Sequence, residues 1–163
     1  MSERSAKGNV GEHGVGRVLT MTRVFDAPRK MVFAAWTDPK QVAQWWGPTG
    51  FTTPVCELDV RPGGAILIHM RAPDGTIYPM SGVYKEVVPP ERLVFAATPL
   101  DKDGNAMFEN LNTVIFTERD GKTTVNLRVE VLTSSAAAEQ PLAGMEMGWN
   151  MTLDRLGAFV TKG

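Results

Sequence analysis

Cysteine is almost absent from this chain: Cys56 stands alone. One thiol forms no internal disulfide, and with two histidines beside it the chain is a poor source of soft metal ligands. A single free thiol fits a reducing compartment, so the expected location is cytoplasmic. Long apolar runs are missing as well. None approaches the roughly 18 residues of a membrane-spanning helix, and no membrane contact is expected. The opening residues, MSERSAKGNVGEHG, are polar and Gly-rich and lack the apolar core of a signal peptide. Charge of one sign is not in excess: 17 Lys and Arg against 18 Asp and Glu give a net charge of −1. The cations are scattered, which removes the electrostatic footprint of nucleic-acid binding. The G-x-S-x-G, C-x-x-C and H-E-x-x-H motifs are also lacking. Gly14-Val15-Gly16 has no third glycine and precedes a strand, so it is no dinucleotide site. The run from Asp101 to Asn105 has its glycine too early for a calcium loop and Asn112 at position twelve, and it reads as a surface turn. The sequence therefore predicts no metal, no cofactor and no catalytic set.

What is present is patterning. With 163 residues, 43% of them hydrophobic, the chain has the size of one domain, and it divides into a flexible tail at 1–15 and a domain at 16–163. Alternation at 16–25 predicts a first strand. Asp26-Ala27-Pro28 reads as a helix start, with Val32, Phe33 and Trp36 on one face. Asp38-Pro39 starts a second short helix, with Gln41 where a capping box wants Glu or Gln. Gly47-Pro48 stops it. Strands follow at 51–58, 65–71, 76–87, 92–97, 111–119 and 123–132. A polar loop spans 99–110, and Asp120-Gly121 gives a two-residue hairpin. Short turns between consecutive strands mean antiparallel pairing. The period then changes: Leu142, Met145, Trp149, Leu153, Leu156 and Val160 are three or four apart, one stripe of a long helix. Ser134 or Ser135 is the candidate cap, and Pro141 implies a kink or a late start. The fold class is α+β, with the helix covering the apolar face of the sheet.

The remaining chemistry is soft. Many methionines accompany Trp, Tyr and Phe, and either fill a core or line a cavity whose shape they adapt to. Alternation places Ile66, Ile68 and Met70 toward the helix, together with Tyr78, Met80 and Tyr84 of the next strand. Leu67, His69 and Ile77 then face outward, and the exposed Leu67 and Ile77 suggest an edge contact or a homodimer. Asp59 and Arg61 read as a local ion pair holding the Arg-Pro-Gly-Gly turn.

Several motifs together look familiar: Ala35-Trp36-Thr37-Asp38-Pro39, Trp45-Trp46-Gly47-Pro48, Asp59-Val60-Arg61-Pro62-Gly63-Gly64, Gly82-Val83-Tyr84, Val88-Pro89-Pro90-Glu91-Arg92-Leu93 and Leu153-Asp154-Arg155-Leu156. Over residues 17–162 they resemble the C-terminal-domain-like family of Hsp90 ATPase activator homologues, within the START-like or Bet v 1-like superfamily. The resemblance implies a helix-grip fold, a curved antiparallel sheet wrapped around the long C-terminal helix with two short helices after the first strand. It also implies a cavity between sheet and helix, and no shared catalytic set. Ile66 and Ile68 stand where family members often carry large aromatics, a change expected to enlarge that cavity. The residues expected to line it are Trp46, Ile66, Ile68, Met70, Tyr78, Met80, Tyr84, Phe95, Phe108, Met145 and Trp149. The expected function is binding of a small apolar molecule, such as a lipid or a polyketide-like aromatic. The alternatives are a polyketide cyclase or hydrolase using Tyr78, Tyr84, His69 or Glu86, and a co-chaperone-like module with a protein partner.

Overall fold

The computed structural model describes residues 14–101 and 103–161. The expected tail lies, for residues 1–13, outside the described residues. Seven strands form one curved antiparallel sheet: β1 (Val18–Phe25), β2 (Thr52–Leu58), β3 (Ala65–Arg71), β4 (Ile77–Val88), β5 (Arg92–Pro99), β6 (Phe108–Arg119) and β7 (Lys122–Ser134). Their order is β1-β7-β6-β5-β4-β3-β2. From β2 onward each strand pairs with the next in sequence, as the short turns require. Helices α1 (Arg29–Thr37) and α2 (Pro39–Trp45) carry the chain from the β1 edge to the β2 edge. After β7 come a 3-10 turn (Ala136–Ala138), α3 (Glu139–Ala143) and α4 (Met145–Val160).

The local chemistry explains the helix ends. At α2, Asp38 Oδ1 accepts from the Lys40 N–H at 3.0 Å and Gln41 Nε2 donates to Asp38 Oδ2 at 3.1 Å, with Pro39 in the first turn. Asp38 caps the helix as expected, but the capping box does not close: Gln41 bonds the Asp38 carboxylate, and the Asp38 N–H donates to the Ala34 carbonyl. At α1 the expectation fails. The N-cap is Pro28, not Asp26, and the carboxylate that meets the helix start comes from β6: Glu118 Oε1 accepts from the Arg29 N–H at 2.8 Å. A distant carboxylate satisfies the orphan donor and the helix dipole as well as a local cap does. Ser135 is likewise no side-chain cap; its hydroxyl donates to the Met107 carbonyl at 2.7 Å. The stripe read as one helix is broken at Gly144, the N-cap of α4, three residues after Pro141.

The inward faces follow strict alternation. Phe108, Val114 and Phe116 on β6 and Val125, Leu127, Val129 and Val131 on β7 are buried, as are Leu153, Leu156 and Val160 on α4. Burying each such side chain contributes about 1.5–3 kcal/mol. The polar stretch expected at 99–110 is shorter than its composition suggests, because β5 runs to Pro99 and β6 begins at Phe108. Its turn is held by Asp101 Oδ1, which accepts from the N–H groups of Asp103 and Asn105, both at 2.9 Å. Leu67 and Ile77 do not form an edge. Strand β3 is paired on both sides and β4 with β3 and β5, so the free edges belong to β1 and β2. The Asp59–Arg61 ion pair is present at 2.9 Å.

Two glycines are required by close backbone approach. A Cβ on Gly64 would lie 1.8 Å from the Asp59 carbonyl oxygen, and one on Gly82 would lie 2.3 Å from that of Ala96. Backbone carbonyls cannot step aside as a side chain does. Replacing Gly64 or Gly82 by Ala is therefore expected to destabilise the protein by about 3 kcal/mol, at the upper end of typical overpacking costs. Urea denaturation measures this directly, and a loss below about 1 kcal/mol would contradict the tight approach.

Candidate functional site

Helix α4 crosses the inner face of the sheet and divides into two halves. Its C-terminal half is packed down: Leu153, Leu156 and Val160 are buried, and Gly157 lies close enough to Phe25 that an added Cβ would be 3.4 Å from the ring. The N-terminal half stands off. Met145, Gly148, Trp149 and Thr152 roof a cavity of about 400 Å³. Its floor is Met80 on β4, Phe95 and Ala97 on β5, and Phe108, Asn110 and Asn112 on β6. Trp46, Gly47, Pro48 and Phe51 wall one side, and Met70 and Tyr78 adjoin them. Pro79, Pro99, Leu100, Met107, Pro141 and Gly144 line the rest.

Aromatic contacts set this geometry. Trp36 stacks on Trp149 with centroids 6.1 Å apart and planes at 18°. Trp46 meets Trp149 edge-on at 5.7 Å, and Trp36 meets Trp45 at 4.9 Å. The Trp45 indole N–H donates to the Ala35 carbonyl at 3.0 Å, which ties α2 to α1. Arg155 on α4 then fastens the segment after α2. Its Nη1 donates to the carbonyls of Trp46, Gly47 and Pro48 at 3.0–3.2 Å, and its Nη2 to that of Gln44 at 3.3 Å.

Of the residues expected to line a cavity, Trp46, Met70, Tyr78, Met80, Phe95, Phe108, Met145 and Trp149 come together here. Ile66, Ile68 and Tyr84 do not. They border a separate void of about 20 Å³, shared with Trp36, Val42, Leu58 and Leu93. The expected enlargement at Ile66 and Ile68 is thus absent, because Trp36 and Trp46 occupy the space over that end of the sheet. Asn110, Asn112, Thr152 and Gly148 were missed. The two asparagines had a signal: even-numbered Phe108, Val114 and Phe116 define an inward face on which Asn110 and Asn112 must also lie.

Among the described residues, the cavity lining contains no Asp, Glu, Lys, Arg or His. Its polar side chains are Tyr78, Asn110, Asn112 and Thr152, with the Trp46 and Trp149 indoles. The groups considered for catalysis are not assembled. His69 and Glu86 are not among the lining residues, and Glu86 accepts from Arg92 Nε at 3.0 Å. Burial pushes the Tyr84 phenol far above its ordinary range, so it stays protonated. Burial, and then the charges of Asp38 and Glu57, push the Cys56 thiol up to about 11, which leaves little thiolate. Among the described residues no group of His, Cys, Asp and Glu is placed to hold a metal ion, and no helix is long and apolar enough to cross a membrane.

Residues 26–161 match the family model described as Activator of Hsp90 ATPase homolog 1-like protein. No curated protein matches the chain. Among solved structures, a protein from Mycobacterium smegmatis is 29% identical, covering 86% of this chain and 88% of that one with a TM-score of 0.72. An AHSA1 protein from Silicibacter pomeroyi is 27% identical over 88% of this chain and 97% of that one, with a TM-score of 0.73. A protein from Arthrobacter aurescens reaches a TM-score of 0.79 at 23% identity, covering 90% and 87%, a likeness of fold.

The four carbonyls held by Arg155 make it the fastener of the cavity wall. Arg155→Ala leaves them without their charged donor and is expected to cost about 1.5 kcal/mol in denaturant unfolding. Arg155→Lys should recover less than half, because one ammonium cannot reproduce the planar fork. Full recovery by Lys would show that charge alone suffices.

Proposed function

The chain belongs to the Activator of Hsp90 ATPase homolog 1-like family, and from that premise we propose that it binds a small apolar molecule between its sheet and the N-terminal half of α4. START-like folds of this kind commonly bind hydrophobic ligands. The observation that carries the reading is the 400 Å³ cavity with its uncharged, largely aromatic and Met-lined wall. Its size falls within the roughly 300–1,000 Å³ of small-molecule sites, and such sites are mostly apolar with a few placed polar groups. Trp46, Trp149 and Phe95 offer flat faces to a ring, and Met70, Met80, Met107 and Met145 adjust to its outline.

Gly148 supplies the test. A Cβ there would meet nothing within 4 Å, so the helix presents open space to the cavity at this turn. The neutral fluorescent probe N-phenyl-1-naphthylamine is expected to bind the wild type and, at 100 times its Kd, to stabilise it by about 2.7 kcal/mol. Gly148→Leu fills the space. It should leave stability equal or higher by about 0.5–1 kcal/mol, since it removes a helical glycine, while probe affinity falls at least tenfold. Wild-type affinity in a folded Gly148→Leu protein would place the probe elsewhere and defeat the proposal.

A further inference from the structure

Asparagine is an expensive choice for the floor of an apolar cavity. Asn110 and Asn112 occupy successive inward positions of β6, 7% and 2% exposed, between Phe108 and Val114. An amide buried there without partners is costly, so where its hydrogen bonds go matters. Asn112 Nδ2 donates to the Phe95 carbonyl at 3.4 Å and to Asn110 Oδ1 at 2.6 Å. The main-chain carbonyl accepts only, which turns the Asn112 nitrogen toward β5. That nitrogen also faces Asn110, which must present its oxygen. The pair is thereby oriented. Its remaining capacity is the amino group of Asn110 as donor and Oδ1 of Asn112 as acceptor, and both residues line the cavity. Above them on α4, the Thr152 hydroxyl donates to the Gly148 carbonyl at 2.8 Å, leaving its oxygen able to accept.

We infer that the cavity selects a neutral ligand with a hydrogen-bond acceptor beside a donor on one edge, the acceptor read by Asn110 and the donor by Asn112. This rests on the cavity-binding reading above and narrows its ligand class. The ligand acceptor meets the Asn110 amino group, and the ligand donor meets Asn112 Oδ1. The rest of the molecule is an apolar body against the Trp, Phe and Met wall. A buried carboxylate is disfavoured, because no Lys, Arg or His among the described residues lines the cavity to balance it. A fatty-acid head group placed at Asn110 and Asn112 is thus the wrong chemistry.

Four probes of similar size separate these terms: 2-quinolinone, which carries C=O and N–H on one edge; N-methyl-2-quinolinone, which keeps only the acceptor; naphthalene, which has neither; and 2-naphthoate, which is charged. Isothermal titration or Trp-fluorescence titration of the full chain gives each Kd. The expected order has 2-quinolinone at least tenfold tighter than its N-methyl analogue and than naphthalene, with 2-naphthoate weakest. Tenfold corresponds to about 1.4 kcal/mol. In Asn110→Leu the preference for 2-quinolinone over naphthalene should collapse to near unity while naphthalene binding persists. If naphthalene or 2-naphthoate matches 2-quinolinone in the wild type, the amide-edge inference is overturned and the cavity reading stands. If none of the four binds, both are overturned. Should Asn110→Leu fail to fold, the wild-type series decides alone.

Discussion

A knot of indoles decides the shape of this protein. Trp36 of α1, Trp45 of α2, Trp46 beside it and Trp149 of α4 are all the tryptophans in the chain, and they meet one another and Phe116 of β6. Aromatic pairs in these offset and edge-on geometries each contribute about 0.5–1.5 kcal/mol beyond the area they bury. More important is where they sit. The knot props α4 near Trp149, so the helix packs down on its C-terminal side and stands off on the other. A filled core and an open cavity share one helix because of it. The arrangement has a cost: Trp36 Nε1 is the buried side-chain donor among the described residues that finds no partner, an expense of about 1–3 kcal/mol that the surrounding packing must offset.

The cavity wall after α2 depends on the same knot from a second side. Trp46 leaves the helix in extended conformation, and the chain turns at Gly47 with φ of 98°. Such a conformation favours glycine, and Met70 sulfur lies 2.9 Å from where a Cβ would stand. The segment has no regular hydrogen-bond ladder of its own. Arg155 supplies one from across the fold, gathering the carbonyls of Gln44, Trp46, Gly47 and Pro48 onto one guanidinium. Three residues from Thr152 and six from Trp149, the same helix that roofs the cavity also secures its side.

The sheet was legible because alternation and turn residues agree along most of the chain. The register follows from them: Ile66, Ile68, Met80, Tyr84 and Phe95 face inward as expected. The second helix was legible from Asp38 and Pro39, a cap and a first-turn proline that are local in sequence. The start of α1 was not, since Glu118 reaches it from a strand 89 residues away. The candidate site was half legible for the same reason. Periodicity says which side chains face the helix, and Ile66, Ile68 and Tyr84 do so. It does not say how far the helix stands from each of them, because that distance is set by Trp36, Trp46 and Trp149 in three dimensions. Asn110 escaped notice through composition: a polar run from Pro99 onward resembles a loop, although β6 already begins at Phe108.

Energetics connect the cavity to what fills it. The cavity opens to solvent, so water fills it wherever ligand does not. Water needs about three hydrogen bonds per molecule to be held well in a protein interior. This wall offers water few polar side-chain sites, chiefly at Asn110, Asn112 and Thr152 with Tyr78. Water over the Trp, Phe and Met faces is poorly bonded, and displacing poorly ordered water by an apolar group gains affinity. Water at the asparagine pair is held better, and a ligand gains there only by reproducing its hydrogen bonds. The same wall thus favours an apolar body over most of its area and demands a matched polar edge at one place on β6.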